Sequence, residues 1–366
     1  MGLFSAADHE FMARTLQLAR HALYDTTPNP RVGCVLVRDG HVVGEGYTQP
    51  AGQNHAEIQA LADARARHAD ARGATAYISL EPCSHHGRTP PCTAALIAAG
   101  VARVVAAMQD PNPQVAGQGR AQMRAAGIET ACGLMQAEAL ELNVGFVSRM
   151  TRGKPWLRLK VAASLDGKTA LNNGNSQWIT GAEARRDAHA WRARSCAILT
   201  GIGTVKDDNP HLTVREVTTT RQPLRVVVDS RLETPLAARV LEGGNALLCA
   251  AVADAAKIAA LHDRGVDVCV LPNPQGKVDL PGLLTELARR GINEVLAEAG
   301  FRLIGSLLKE GCVDELLIYQ APILLGEAAR GMFDLAELTD LAGRRELEIF
   351  DMRQIGRDVR LRARLK

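Results

Sequence analysis

The first part of the chain is defined by HAE (55–57) and PCSHHGRTPPC (82–92). One imidazole and two thiolates, from His55, Cys83 and Cys92, supply three ligands to a tetrahedral zinc ion. Three protein ligands leave the fourth position to water, which is typical of a catalytic rather than a structural zinc site. His55 and Cys92 fall at predicted helix starts, where free N–H groups stabilise a thiolate. The pattern therefore predicts a catalytic zinc centre.

Glu57 lies two residues after the histidine, where it can carry protons instead of binding the metal. Zinc lowers the pKa of bound water from about 15.7 towards about 7. Hydrolytic deamination then needs one group that takes a proton from this water and returns it to the ring nitrogen and to the leaving ammonia. The H-x-E and Pro-Cys pattern matches the signature of zinc nucleobase deaminases. The alternative, two buried core cysteines and a capping histidine, is disfavoured because both motifs occur together.

Size and charge narrow the class of protein. A single core usually stops growing at roughly 250–300 residues, so a chain of 366 residues is expected to form two domains. The net charge is +3 without a long basic block, so we expect no nucleic-acid partner. The basic terminus RDVRLRARLK (357–366) alternates as an edge strand would. No apolar run approaches the ~20 residues of a membrane span, and no signal peptide is indicated. We expect a soluble, cytoplasmic enzyme without membrane contact.

Hydrophobic patterning predicts an α/β organisation in both parts. A helix is expected over about 5–23, a hairpin over VGCVLVRDGHVVGEG (32–46) with its turn at Asp39-Gly40, and alternating strands and helices from residue 74. The polar break RMTRGKP (149–155) separates a first domain, 1–150, which carries the zinc deaminase motifs, from a second domain, 151–366. That domain restarts with strands near 156–162, 196–200, 225–229, 246–249, 266–271, 294–297 and 315–320, and ends in an antiparallel pair. Cys34, Cys196, Cys249 and Cys269 lie in strand-like stretches and are expected in the core.

These motifs resemble those of the bifunctional deaminase–reductase family of bacterial riboflavin biosynthesis. In the first domain the resemblance rests on NPRVG (29–33), HAE, PCSHHGRTPPC and MQDPNPQVAGQG (108–119). In the second it rests on SLDGK (164–168), NSQWIT (175–180), GIGTVKDDNPHLTVR (201–215), VVVDS (226–230) and EAGFRLIGSLL (298–308). The family often has a histidine where this chain has Thr48.

The resemblance implies two successive reactions. The first is zinc-dependent deamination of 2,5-diamino-6-(5-phosphoribosylamino)pyrimidin-4-one. The second is reduction of the ribosyl group of 5-amino-6-(5-phosphoribosylamino)uracil to ribityl by NADPH. It also implies a cytidine-deaminase-like three-layer α/β/α domain, a dihydrofolate-reductase-like α/β domain, and a homodimer formed through the reductase domain.

Site residues follow from the same resemblance, position by position. The first domain would hold zinc with His55, Cys83 and Cys92, use Glu57 as its catalytic residue, and bind substrate with Asn29, His85 and Arg88. The expected NADPH positions are Ala162, Trp178, Thr204, Asp208, Ser230, Gly300, Phe301, Arg302, Leu303, Ile304, Gly305 and Ser306. The expected substrate positions of the second domain are Ser176, Arg192, Leu212, Arg215 and Glu298. Asp208 is the acid expected near hydride transfer.

Without the resemblance, the second domain is less informative. Strand–glycine–helix junctions at Gly201 and Gly300 can hold a phosphate, but they do not form a G-x-G-x-x-G motif. Arg192 and Arg215 suit a phosphorylated substrate, because a guanidinium fork binds phosphate through two N–H groups.

Two further functions stay open at this point. One is a nucleobase or tRNA-type zinc deaminase with an accessory domain. The other is a zinc-stabilised nucleic-acid-binding module, which would require a closed four-ligand site and a basic face.

Overall fold

The computed structural model describes residues 4–87, 90–113 and 115–366. The chain divides into two units, Met1–Gly153 and Lys154–Lys366, and the division falls within the polar break of the sequence.

The first unit is built on a five-stranded sheet in the order β2-β1-β3-β4-β5. Its strands are β1 Gly33–Arg38, β2 His41–Tyr47, β3 Thr75–Ile78, β4 Arg103–Ala106 and β5 Glu129–Cys132. Its helices are α1 Ala6–His21, α2 Ala56–Ala66, α3 Cys92–Ala98, α4 Gln118–Ala125, α5 Gln136–Leu142 and α6 Val144–Arg152. β1 is antiparallel to β2 and β3, whereas β3, β4 and β5 run parallel.

The predicted hairpin is confirmed, and its turn has a local cause. Asp39 and Gly40 both adopt positive φ, 52° and 77°, as a tight two-residue turn between twisted strands requires.

Helices cover both faces of this sheet. Gly33 and Cys34 point to opposite faces because side chains alternate along a strand. A Cβ on Gly33 would meet α1 at Thr15, whereas one on Gly46, the partner of Cys34, would meet α2 at Ala60. α1 and α2 therefore pack on opposite faces, and the predicted three-layer α/β/α arrangement is confirmed.

The second unit is built on a nine-stranded sheet in the order β11-β10-β9-β8-β12-β6-β13-β16-β15. Its strands are β6 Trp156–Ser164, β7 Lys168–Ala170, β8 Ala197–Gly201, β9 Leu224–Val228, β10 Ala246–Ala250, β11 Val266–Val270, β12 Glu294–Ala297, β13 Glu315–Ala321, β14 Arg330–Gly331, β15 Leu347–Ile355 and β16 Asp358–Leu365. Its helices are α7 Ala182–Arg194, α8 Ile202–Asp208, α9 Ala255–His262, α10 Leu280–Arg289 and α11 Phe301–Lys309, with two 3₁₀ turns at Arg239–Leu241 and Leu341–Gly343. The expected α/β class is confirmed.

Neighbouring strands from β11 to β13 are all parallel, and β16 and β15 complete the sheet in antiparallel fashion. The expectation that 357–366 forms an edge strand is wrong: β16 lies between β13 and β15, and β15 is the edge. Alternating charge misled the prediction because Arg360 and Arg362 are buried against carboxylates, Asp187 and Glu315 respectively.

Parallel strands bring the segments that follow them to one end of the sheet. The segments after β8, β9 and β12, which begin at Ile202, Asp229 and Glu298, therefore share the end reached by β6. In the part of the chain that the structure describes, no helix is both long and apolar enough to span a bilayer.

Polar contacts fix α7 against the same sheet. Tyr319 donates its hydroxyl to Asp187 at 2.5 Å, and Arg194 pairs with Glu294 at 2.9 Å. Trp191 on the same helix is 8% exposed, and the Arg194 guanidinium lies 5.4 Å from its ring centre. One face of α7 is thereby held in a fixed position beside the strand ends.

Candidate functional site

Two helix starts and one extended segment position the predicted zinc ligands. His55 is the N-cap of α2, Cys92 is the buried first residue of α3, and Cys83 lies in the segment that follows β3. Their ligand atoms all lie within 4.8 Å of one another. His55 Nδ1 is 3.6 Å from Cys83 Sγ and 3.4 Å from Cys92 Sγ. A tetrahedral zinc with bonds of about 2.1 and 2.3 Å separates nitrogen and sulfur by roughly 3.6 Å, so the three residues fit this ion.

Hydrogen bonding shifts the pKa values of the two cysteine thiols in opposite directions. Hydrogen bonds, first from Cys92 and then from His55, lower the pKa of Cys83 to about 4. The bond shared with Cys83, together with burial, raises the pKa of Cys92. The backbone N–H of Cys92 also donates to Cys83 Sγ at 3.3 Å. Such a pair releases its remaining proton when a metal cation binds.

Glu57 is the second residue of α2 and is 4% exposed. Burial, and next the negative charge of Cys83, raises the pKa of Glu57 to about 7. Its carboxyl group can therefore gain or lose a proton close to neutral pH, as a proton carrier must. In the part of the chain that the structure describes, His55, Cys83 and Cys92 form the one group of three or more potential metal ligands, and the Glu57 side chain interacts with Cys92.

The other predicted residues of this unit are placed as follows. Asn29 is half-buried in a turn and donates its backbone N–H to Thr26 O at 2.8 Å. His85 is exposed on the segment after Cys83, and Arg88 lies outside the described residues. Thr48 is 3% exposed and donates its hydroxyl to Val32 O at 3.4 Å, so it takes part in the packing of β1 and β2.

Glu81 is a residue of this unit whose role the sequence analysis missed. Its side chain is fully buried and accepts backbone N–H groups of Asp110, Gly117 and Arg120 at 3.2, 3.0 and 3.1 Å. Two of these groups open helix α4, so Glu81 caps that helix from the segment that leads into Cys83. A carboxylate between an apolar strand and Pro82 was the available signal.

The second unit contains a cleft of about 1540 Å³ at the carboxyl ends of its parallel strands. Most of the positions predicted for NADPH and substrate line it: Ala162, Ser176, Trp178, Arg192, Thr204, Asp208, Leu212, Arg215, Ser230, Glu298, Gly300, Phe301, Arg302, Leu303, Ile304 and Ser306. Gly305 does not line the cleft; it is buried in α11, where its Cα packs against the backbone of Asp334. Gly201 and Gly300 cap α8 and α11 at the cleft wall, as the strand–glycine–helix pattern predicts.

The fork of Arg192, which we expected to hold phosphate, is used within the protein. Its Nε and Nη2 donate to the two carboxylate oxygens of Glu298 at 2.6 and 2.9 Å. Burial opposes ionisation of Glu298, but the charges of Arg192 and Lys160 outweigh it and lower the pKa to about 2. Arg215 is exposed, and its Nη1 contacts Thr213 Oγ1 at 3.3 Å. Arg215 therefore has donors available for a ligand.

Lys160 is a second residue that the sequence analysis missed. It lines the cleft from β6, with its Nζ 3.9 Å from Glu298 and 6.0 Å from the centre of the Tyr319 ring. Burial lowers the pKa of Lys160. A lysine inside a mainly apolar strand was the signal for this residue.

Trp178 and Asp208 lie towards solvent. Trp178 is 68% exposed, and the Arg185 guanidinium lies 4.7 Å from its ring centre. Asp208 is the exposed last residue of α8.

Comparison with known proteins finds a matching family model for each of the two units. The family model described as the RibD C-terminal domain matches residues 155–361, and that of the cytidine and deoxycytidylate deaminase zinc-binding region matches residues 5–108. Riboflavin biosynthesis protein RibD of Escherichia coli strain K12 is 48% identical over 365 residues, covering 96% of this chain and 98% of that protein.

Solved structures agree with this placement. A structure of Acinetobacter baumannii RibD, 42% identical, superposes with a TM-score of 0.90 over 98% of this chain and 99% of that one. The structure of a diaminohydroxyphosphoribosylaminopyrimidine deaminase/5-amino-6-(5-phosphoribosylamino)uracil reductase from Thermotoga maritima is 31% identical, with a TM-score of 0.86 over 98% and 99% of the two chains. A zinc-binding deaminase unit followed by a reductase unit, with identity along nearly the whole length, shows that this chain belongs to the RibD family of riboflavin biosynthesis proteins.

Proposed function

We propose that this chain catalyses two consecutive reactions of riboflavin biosynthesis and that the residues described above divide the work between them. The first removes the amino group of 2,5-diamino-6-(5-phosphoribosylamino)pyrimidin-4-one. The second reduces the ribosyl group of the product, 5-amino-6-(5-phosphoribosylamino)uracil, to ribityl. The observation that carries this proposal is the placement of buried Glu57 beside three ligand atoms with zinc spacing.

In the first unit, His55, Cys83 and Cys92 would hold zinc. A bound zinc ion supplies the Lewis acidity that makes water a nucleophile at neutral pH. Glu57 takes one proton from the attacking water and delivers it to the ring nitrogen; it then carries the second proton to the departing ammonia. One C–N bond breaks and one C–O bond forms, so the carboxylate ends the cycle as it began. We assign Asn29, His85 and Arg88 to substrate binding.

The cleft of the second unit would hold NADPH, whose chemistry when bound is to supply a hydride, here for the ribose C1′. The ribose ring opens when the bond from C1′ to the ring oxygen breaks, and that oxygen needs a proton. Lys160 faces the cleft, and burial lowers its pKa, so we assign it as the proton donor. Glu298 keeps Lys160 oriented and remains ionised throughout.

Arg215 would bind the phosphate of the substrate, because its exposed guanidinium still has donors available. We assign Ser176 and Leu212 to the same substrate. We assign NADPH to the expected positions that line the cleft: Ala162 on β6, Ser230 after β9, Thr204 and Asp208 on α8, Trp178, and the start of α11 from Gly300. Gly305 would act through the packing of α11.

We further propose that the enzyme is a cytoplasmic homodimer joined through the reductase unit. β15 ends the nine-stranded sheet, and it exposes Ile349 and Met352 to 59% and 69%. An exposed edge strand with apolar side chains is a template for pairing with a second copy. Light scattering should give twice the chain mass for the native protein and a single mass for Ile349→Lys; a monomeric native protein would contradict this interface.

The deciding experiment supplies the purified, zinc-loaded protein with the diaminopyrimidine ribotide, with and without NADPH. Ammonia release and NADPH oxidation are followed together. We expect ammonia without NADPH, and NADPH oxidation only after deaminated product has formed. A folded, zinc-loaded sample that releases no ammonia would show that the substrate assignment is wrong.

A further inference from the structure

His189 lies at the wall of the reductase cleft, three residues before Arg192 on α7, and no step above uses it. It is 8% exposed, and its Nδ1 accepts a hydrogen bond from the backbone N–H of Arg215 at 3.2 Å. A neutral imidazole carries one proton, so a ring that accepts at Nδ1 must be protonated at Nε2.

The bond from Arg215 is one of several hydrogen bonds that tie the loop between α8 and β9 to α7. Arg192 Nη1 donates to the carbonyl of Thr213 at 3.1 Å, and His189 accepts from Arg215 two residues later. Between them, Val214 donates its N–H to Gln222 Oε1 at 2.8 Å. The backbone that carries Arg215 is therefore held from both sides.

This loop needs such support. Leu212, a residue with a Cβ, adopts a φ of 53°, in the left-handed region that favours glycine. Side-chain bonds from α7 offset the cost of this conformation, and α7 is itself fixed to the sheet through Asp187 and Arg194.

The charges around His189 keep its ring in the accepting state. Burial, then Arg192 on its own helix and Arg215 on the loop, lower the pKa of His189 to about 4, against the opposing charges of Glu298 and Glu216. A protonated ring would lose the acceptor that Arg215 uses.

We propose that His189 is a positioning residue of the reductase: its Nδ1 holds the backbone of Arg215 so that the Arg215 guanidinium meets the phosphate of the substrate. The inference rests on the proposed reductase function. It adds a residue that acts through the backbone of Arg215 and thereby sets affinity for the phosphorylated substrate.

Two variants separate this role from a general packing role. His189→Asn places an amide oxygen near the position of Nδ1 and keeps an acceptor for the Arg215 N–H. His189→Gln places its amide one carbon further out, near Nε2, and loses that acceptor. His262→Gln, an exposed histidine on α9, is the matched control.

We expect His189→Gln to raise KM for the phosphorylated substrate about tenfold, the effect of one lost hydrogen bond, with kcat and KM for NADPH within about twofold. His189→Asn should recover most of the loss. Because His189 acts by positioning Arg215, adding His189→Gln to an Arg215→Ala variant should raise KM for the phosphorylated substrate by less than about twofold. Equal defects in the Asn and Gln variants, or a full tenfold effect without Arg215, would overturn the proposal.

Amide hydrogen exchange tests the bond without turnover. The Arg215 amide should exchange slowly in the native chain and in His189→Asn, and at least tenfold faster in His189→Gln. Unchanged exchange in His189→Gln would overturn the proposal even if the reductase assay works. Slow native exchange in a protein that never oxidises NADPH would instead leave the bond standing and reject the proposed reaction.

Discussion

Two buried glutamates, one in each unit, have pKa values that are shifted in opposite directions. Glu57 is buried beside a thiolate, and its pKa is raised to about 7. Glu298 is also buried, but Arg192 and Lys160 outweigh the effect of burial and lower its pKa to about 2. Where burial outweighs the neighbouring positive charge, a carboxyl group can exchange protons near neutral pH, whereas one held by two cations stays an anion. The same side chain is thus a proton carrier in one site and a fixed charge in the other.

The two sites also differ in how they are assembled. The deaminase centre takes His55, Glu57, Cys83 and Cys92 from two short segments and gathers the ligand atoms within 4.8 Å. The reductase cleft draws on segments from β6 to β14 that meet near the carboxyl ends of the parallel strands. A substitution of one zinc ligand should therefore abolish deamination without affecting reduction. Single substitutions in the cleft should instead lower reductase activity by different degrees.

The largest effect is expected from Cys83→Ser. A hydroxyl does not replace a thiolate as a soft ligand, so zinc content should fall from about one per chain to near zero. Without the metal, deamination should fall roughly a thousandfold or more, and reduction of supplied deaminated substrate should be unchanged. Zinc analysis and the two separate assays check this.

Cys132→Ser is the matched control, because Cys132 is a half-buried cysteine of the same unit outside the ligand group. Full zinc content in Cys83→Ser would show that another residue completes the site.

Glu57→Gln should leave the zinc in place and lower kcat for deamination about 10²–10⁴-fold, because the amide cannot carry a proton. Metal content and ammonia release are measured on the same sample. Glu10→Gln, an exposed change on α1, should match the native chain. If Glu57→Gln lost its zinc together with its activity, Glu57 would be a ligand and not the proton carrier.

Glu298→Gln should lower reductase activity by about a hundredfold and destabilise the second unit by roughly 3 kcal/mol, because Arg192 and Lys160 lose their counter-charge. The direction of the pKa shift of Glu298 predicts how this stabilisation depends on pH. The folded-state pKa, about 2, lies below the ordinary value of 4.5, so this stabilisation is complete above about pH 4.5 and is lost as pH falls towards 2.

Chemical denaturation of the native chain and of Glu298→Gln at pH 7 and pH 3 measures this contribution. The difference between the two proteins should shrink at pH 3. A difference that is the same at both pH values would mean that Glu298 acts through packing alone.

The sequence and the structure agree best where the constraint is local. The Asp39-Gly40 turn and the spacing of His55 and Cys92 at helix starts can be predicted, since turn geometry and metal coordination restrict residue types at short range. The edge position assigned to 357–366 is wrong because the partners of its arginines, among them Glu315, lie far away in the sequence.

The same distance explains the two residues that the sequence analysis missed. Glu81 accepts hydrogen bonds from backbone N–H groups that lie 29 to 39 residues later in the sequence. Lys160 on β6 pairs with Glu298, which follows β12. Arg192 was assigned to phosphate from its chemistry alone, and only the fold shows that its fork is already used by Glu298. Hydrophobic periodicity identifies which face of an element is buried, but it does not predict which polar groups far apart in the sequence form a contact.

The smallest effect is expected from Glu81→Gln, and it tests whether the local deaminase centre depends on support from outside its motifs. Glu81 accepts three backbone N–H groups, and two of them open α4. The amide keeps the shape of the side chain but removes the charge that strengthens these bonds, and it turns an N–H₂ group towards backbone donors. We expect a loss of about 1–3 kcal/mol in the stability of the first unit, with zinc still bound.

Thermal unfolding followed by zinc release measures this loss, and Glu10→Gln again serves as the exposed control. Deamination should fall only a few-fold at 25 °C and more steeply on warming, because the segment leading into Cys83 is loosened and the ligands themselves are intact. Reduction by the second unit should not change. If the first unit of Glu81→Gln unfolds at the same temperature as that of the native chain, the two ligand motifs are sufficient to hold the zinc site without Glu81. The contrast with the reductase cleft would then apply to the residues around the ligands as well as to the ligands themselves.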